Sequence, residues 1–151
     1  MSHIRDQIDV EVQPSVAYDQ WLDFASYPRF MRGVERVLRL DARILDWTAT
    51  IAGRTKHWRA EIVDQVPGEL VAWRSLEGPR NDATVRFEPL PEGTRVTLEL
   101  DVEPVGTIEA TGDALGFVAR RAAGDLERFR DLVESRRPEG DAEVGSQRAG
   151  A

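Results

Sequence analysis

The chain has 151 residues, a formal net charge of −7 and no cysteine. An acidic chain of this kind argues against nucleic acid, whose phosphates need a basic face, and against anionic membrane surfaces. Without cysteine there are no disulfides, thiolate nucleophiles or Cys-ligated metals. No apolar run approaches the roughly 20 residues of a membrane span, so no stable membrane insertion is expected. Met1-Ser2-His3-Ile4-Arg5-Asp6 lacks an apolar secretory segment. The expectation is one cytoplasmic domain.

Ile4, Ile8, Val10 and Val12 alternate with Arg5, Gln7, Asp9 and Glu11, which predicts an opening, half-buried strand. Pro14-Ser15 then starts a short helix carrying Ala17, Tyr18, Trp21, Leu22 and Phe24. Tyr27-Pro28-Arg29-Phe30-Met31 follows as a turn or second short helix, since Pro28 disfavours helical geometry at Tyr27. Strands are expected near 34–40, 43–52, 55–66, 69–76, 82–89 and 93–104. Gly53, Pro67-Gly68, Gly78-Pro79 and Pro91-Glu92-Gly93 punctuate them as an antiparallel meander. From about 113 to 136 the period changes. Leu115, Val118, Ala119, Ala122, Leu126, Phe129, Leu132 and Val133 recur at three- and four-residue spacings. Such a helix would run roughly 36 Å, enough to cross a whole sheet. Residues 137–151 carry almost no apolar bulk and read as a disordered tail after a domain spanning 3–136.

The stretch from Trp47 to Trp73 is the most informative. By the period of two, Trp47, Ala49 and Ile51 share a strand face, as do Trp58, Ala60 and Ile62, and then Val71, Trp73 and Ser75. Adding Leu38, Leu40, Val85, Phe87, Val96, Leu98, Leu100 and Val102 completes the inward set, which holds no carboxylate, histidine or lysine. A β-bulge would invert this parity locally. Arg59, Glu61, Arg74, Arg86 and Glu88 fall on the other face. Three indoles with small residues between them predict a concave apolar surface closed by the helix.

The order β-αα-β6-α resembles the helix-grip (START-like, Bet v 1-like) superfamily, an α+β class with an antiparallel sheet wrapped around a long C-terminal helix. More narrowly it resembles the polyketide cyclase/dehydrase and coenzyme-Q-binding branch. The residues that carry the resemblance include Trp21-Leu22-Asp23-Phe24, Leu45-Asp46-Trp47, Trp58-Arg59-Ala60-Glu61-Ile62, Val71-Ala72-Trp73-Arg74-Ser75 and Gly124-Asp125-Leu126-Glu127-Arg128-Phe129. It covers about residues 3–136 and implies an apolar cavity between sheet and helix. Cyclases of this superfamily use a cavity arginine with a tyrosine or asparagine, which makes Arg74, Tyr27 and Asn81 the catalytic candidates here. Each also has a plain reading: Arg74 as an outer-face partner of Glu61 or Glu88, Tyr27 as a packing residue, Asn81 as a loop residue.

Expected ligand contacts are Trp47, Trp58, Trp73, Phe87, Phe30, Leu98, Phe117 and Val118. His57 reads as a rim histidine, with general base the alternative. Two distant histidines without zinc-site spacing predict no metal. Gly106 and Gly112 do not form a phosphate loop, so no nucleotide, flavin or other cofactor is expected. Two functions remain open, a carrier of a quinone, polyketide or lipid-like molecule and a polyketide cyclase/dehydrase. A third is a protein whose cavity is residual. Either a monomer or a homodimer is compatible.

Overall fold

The computed structural model describes residues 2–51, 53–77, 80–102 and 112–135, with side chains from 119 onward in the last segment. The expected tail and the side chains of Phe117 and Val118 lie outside this set. Strand β1 (Ser2–Val10) leads into helix α1 (Pro14–Trp21), a 3-10 turn (Phe24–Ser26) and helix α2 (Tyr27–Phe30). Then come β2 (Val34–Arg39), β3 (Ile44–Ile51), β4 (Arg54–Val66), β5 (Leu70–Ser75), β6 (Asn81–Leu90), β7 (Gly93–Val102) and the long helix α3 (Gly112–Ser135).

The strands form one antiparallel sheet in the order β1-β7-β6-β5-β4-β3-β2. Consecutive strands pair as hairpins, and β1 closes the far side against β7 from Ser2↔Val102 to Val10↔Thr94. Gly68, with φ of +78°, makes the turn between β4 and β5 that a residue with Cβ would make under strain. Gly93 is required for a different reason, because a Cβ there would overlap the Val10 carbonyl.

Two bulges set the pattern of faces. The first lies between Val34 and Arg36. It puts Val37 opposite Trp47, so Val37 is buried, while Leu38 and Leu40 are 42% and 53% exposed. The expectation that Leu38 and Leu40 face inward is thus corrected: the extra residue reverses the parity of β2. The second, between Ile62 and Asp64, brings Gln65 opposite inward-facing Val71. Tyr27 also departs from expectation. It is helical despite preceding Pro28 (φ −55°, ψ −38°), because Pro28 falls in the first turn of α2 and Tyr27 continues the preceding 3-10 turn.

The core lies where α1, α2 and the C-terminal half of α3 meet the sheet. Trp21 is 1% exposed and packs its ring at 4.7 Å from Phe129, 5.5 Å from Phe30 and 6.5 Å from Phe87. Ala122, Leu126, Phe129 and Val133 form the buried stripe of α3, in keeping with its three- and four-residue spacing. Polar stitches fix the helix to α2. The Arg32 backbone N–H donates to Asp125 Oδ1 at 3.0 Å, and Arg128 donates through Nε to the Phe30 carbonyl at 3.0 Å while pairing with Asp125.

Two predictions follow from this packing. Gly93→Ala must push β1 away from β7 at Val10, so a loss of several kcal/mol, on the order of an overpacked core site, is expected in urea denaturation. Near-native stability would show that the strands part freely. Burial raises the Asp125 pKa above the ordinary 3.8, outweighing the lowering by the Arg32 N–H and by Arg128. A folded-state pKa above the unfolded one gives stability that is full at low pH and is lost as pH rises through the folded value. The stability of the wild type relative to Asp125→Asn should therefore fall as pH climbs from about 3 through the carboxylate range. A rise over that interval would show that the arginine pairing dominates.

Candidate functional site

The concave face of the sheet divides into two halves. One is sealed. Tyr18 packs edge-on to Phe87 at 5.6 Å and its hydroxyl accepts from Gln65 Nε2 at 3.0 Å, while Thr94 Oγ1 donates to the Val12 carbonyl at 2.7 Å. Toward β3–β5 the tryptophans gather, joined to the sealed half by Tyr27, whose ring lies 5.6 Å from that of Trp47. Trp47 stands directly opposite Trp58 in the β3–β4 register, with ring planes 10° apart and centroids 5.7 Å apart. Trp73, opposite Ile62 on β5, lies 5.9 Å from Trp47 at a tilt of 37°. Trp47 and Trp73 are each 6% exposed and Trp58 is half-buried. The Trp47 Nε1 donor is buried and has no hydrogen-bond acceptor among the described residues. Leaving a buried donor unmatched costs about 1–3 kcal/mol, so an acceptor brought by a ligand would find a ready partner.

The remaining expected contacts separate. Leu98 is 8% exposed on the same concave face, opposite Val85. Phe30 and Phe87 belong instead to the sealed half, where Trp21 and Tyr18 already occupy their faces. The short helices come down on that end of the sheet.

The catalytic candidates also separate. Arg74 lies exposed on the convex face, its Nη2 donating to Glu61 Oε1 at 3.2 Å, as in its plain reading. Tyr27 is fully buried, and its hydroxyl donates to the Trp21 carbonyl at 2.8 Å. Burial, and then the nearby Asp23, push its pKa well above the ordinary phenol value, so it is a neutral phenol whose proton is already committed. Asn81 is the first residue of β6 rather than a loop residue. It shares the concave parity of Ala83 and Val85, and its backbone N–H donates to Ser75 Oγ at 3.1 Å. His57 is 59% exposed on the convex side and pairs with Asp46. Among the described residues no three His, Asp or Glu side chains gather as a metal site requires.

Among the concave-face positions that sequence reasoning missed are two charged, half-buried ones. Asp6 lies between Ile4 and Ile8 and opposite Leu98, so it interrupts the apolar row of β1. Lys56 lies opposite Ala49, two residues before Trp58, with no register shift between β3 and β4. Counting back in twos from Trp58 and from Ile8 would have found both.

A seven-stranded antiparallel sheet gripping a C-terminal helix, with an indole-lined concave face, defines the START-like helix-grip class. Within it, the chain belongs to the family described as polyketide cyclase/dehydrase and lipid transport, whose pattern matches residues 10–130. A relative of 40% identity over 138 residues is the "uncharacterized 17.2 kDa protein in melC2-rnhH intergenic region" of Streptomyces lincolnensis, with 90% of this chain and 92% of that protein aligned. The solved structure of DR_A0006 from Deinococcus radiodurans is 28% identical, with a TM-score of 0.72 over 89% of this chain and 98% of that one. The Zhui aromatase/cyclase from Streptomyces sp. R1128 shares the fold, at 18% identity and a TM-score of 0.75 over 89% of this chain and 94% of that one.

Tyr27→Phe deletes the hydroxyl but keeps the ring. It is expected to cost about 1–3 kcal/mol in chemical denaturation, because the Trp21 carbonyl loses its donor, and to leave ligand affinity unchanged. A selective loss of binding or turnover would return Tyr27 to the site.

Proposed function

We propose that the protein binds a hydrophobic small molecule, a quinone, polyketide or lipid-like ligand, against Trp47, Trp58 and Trp73, and does so as a cytoplasmic carrier without turning it over. The observation that carries this reading is the buried Trp47 Nε1, a donor without an acceptor in the middle of an apolar, indole-lined face. Apolar burial contributes about 25 cal/mol per Å², and aromatic contacts add to it. The family's description, which includes lipid transport, supports the same class of ligand. The described catalytic candidates give little to set beside it, since Arg74 and His57 face away and the Tyr27 proton is already donated.

Asn81 favours a second reading. Its place on the concave parity beside Ser75 would let its amide meet a ligand carbonyl, as a polyketide cyclase/dehydrase needs.

Titration of intrinsic tryptophan fluorescence with a neutral quinone, alongside native mass spectrometry of gently purified protein, tests the first reading. Quenching that saturates at one equivalent is expected, and Trp58→Ala should weaken it about tenfold, the equivalent of one good aromatic contact. No quenching and no co-purified mass would sink it. Turnover of a poly-β-keto substrate that Asn81→Ala abolishes would establish the second reading instead.

A further inference from the structure

Lys56 is the only lysine in the chain, and every other member of its 20 basic residues is arginine. Six arginines of the convex face are matched with acids: Arg5 and Arg86 to Glu99, Arg43 and Arg74 to Glu61, Arg59 to Glu77, and Arg95 to Asp9. A planar guanidinium suits such fixed pairing with carboxylates, whereas an ammonium on a flexible stem is a mobile point charge. Lys56 stands outside that network. It is half-buried on the concave face, and no carboxylate among the described residues lies within ion-pair distance of it, although the chain has 27 acids.

Its position is set by the register. Lys56 faces Ala49 across the β3–β4 ladder, and Ala49 follows Trp47 on the same face. Along its own strand Lys56 is two residues from Trp58, roughly 6.6 Å by strand rise. Ala49, opposite it, is small, and a lysine stem can cover apolar surface while its ammonium reaches toward water. Among the described residues the same face therefore carries a cation without a counter-ion and, at the next position of that face on β3, the buried Trp47 N–H without an acceptor. Both are donors awaiting oxygen.

We infer that the ligand is an amphipathic anion, a flat apolar body lying on Trp47, Trp58 and Trp73 with a carboxylate, enolate or similar acidic oxygen held by Lys56. This deepens the binding reading above and rests on it. The apolar body supplies affinity, while Lys56 selects among ligands of similar shape by requiring a negative oxygen, since charge-assisted hydrogen bonds are about twice as strong as neutral ones. Arg54 shares the face but is exposed at the hairpin end of the strand, where solvent screens its charge.

A matched pair of probes tests this on the full chain: 8-anilinonaphthalene-1-sulfonate, and N-phenyl-1-naphthylamine, the same aromatic body without the sulfonate. The wild type is expected to bind the sulfonate about tenfold tighter than its neutral twin, read by tryptophan quenching. Lys56→Met should erase that preference while leaving the affinity for the neutral twin within about twofold, and Lys56→Arg should retain it. The neutral probe doubles as the control for folding. Equal affinity of the wild type for the two probes would overturn the anion selectivity and leave the binding reading standing. A Lys56→Met variant that loses both probes would show a structural role for the lysine. An Arg54→Gln effect as large as that of Lys56→Met would show diffuse surface charge, and silence with both probes in the wild type would overturn the two readings together.

Discussion

A long helix can cross a twisted sheet only where something fills the wedge between them, and here that filler is Trp21. Its indole touches rings from three other elements, Phe30 of α2, Phe87 of β6 and Phe129 of α3, so that α1, α2, the sheet and α3 share one contact. The indole N–H has no acceptor among the described residues, a cost set against the close engagement of the surrounding rings. Edge-to-face geometry prevails in the cluster, as between Phe30 and Phe129 at 65°.

The sequence made the architecture plain because its two periods are clean. Val96, Leu98 and Leu100 alternate without interruption, and Ala122, Leu126, Phe129 and Val133 keep to one helical stripe. What alternation alone could not locate were the bulges at Glu35 and Val63, since an inserted residue leaves no mark in a pattern of apolar and polar letters. Leu38 and Leu40 were therefore assigned to the wrong face. The site was legible only in part. Three inward indoles followed from parity, but which half of the sheet the short helices would seal depends on tertiary packing, and that decided the fate of Phe30 and Phe87. Tyr27 was ambiguous for a related reason: local sterics before proline opposed a helix, and burial of its ring with its hydroxyl bonded to Trp21 overrode them.

The two sides of the sheet follow opposite rules. The convex side is a lattice of cross-strand charge, from His3 and Asp101 at one edge to His57 and Asp46 toward the other. Each exposed pair contributes little alone, but together they keep the surface solvated and hostile to a second apolar layer. The concave side carries few charged groups, and those that are half-buried there, such as Asp6 and Lys56, stand in a setting where their interactions are less screened than on the convex side. The division of labour is between a face that stays in water and a face that discriminates.

The use of a single lysine has a chemical corollary. Apart from the α-amine, the chain offers acylating and carbonyl reagents one primary amine, and arginine does not compete for them. A reporter group attached through mild amine chemistry would therefore come to rest beside the three indoles, where energy transfer from tryptophan reaches it at contact range. The protein thus contains, without any substitution, a unique address for placing a spectroscopic label on its own concave surface.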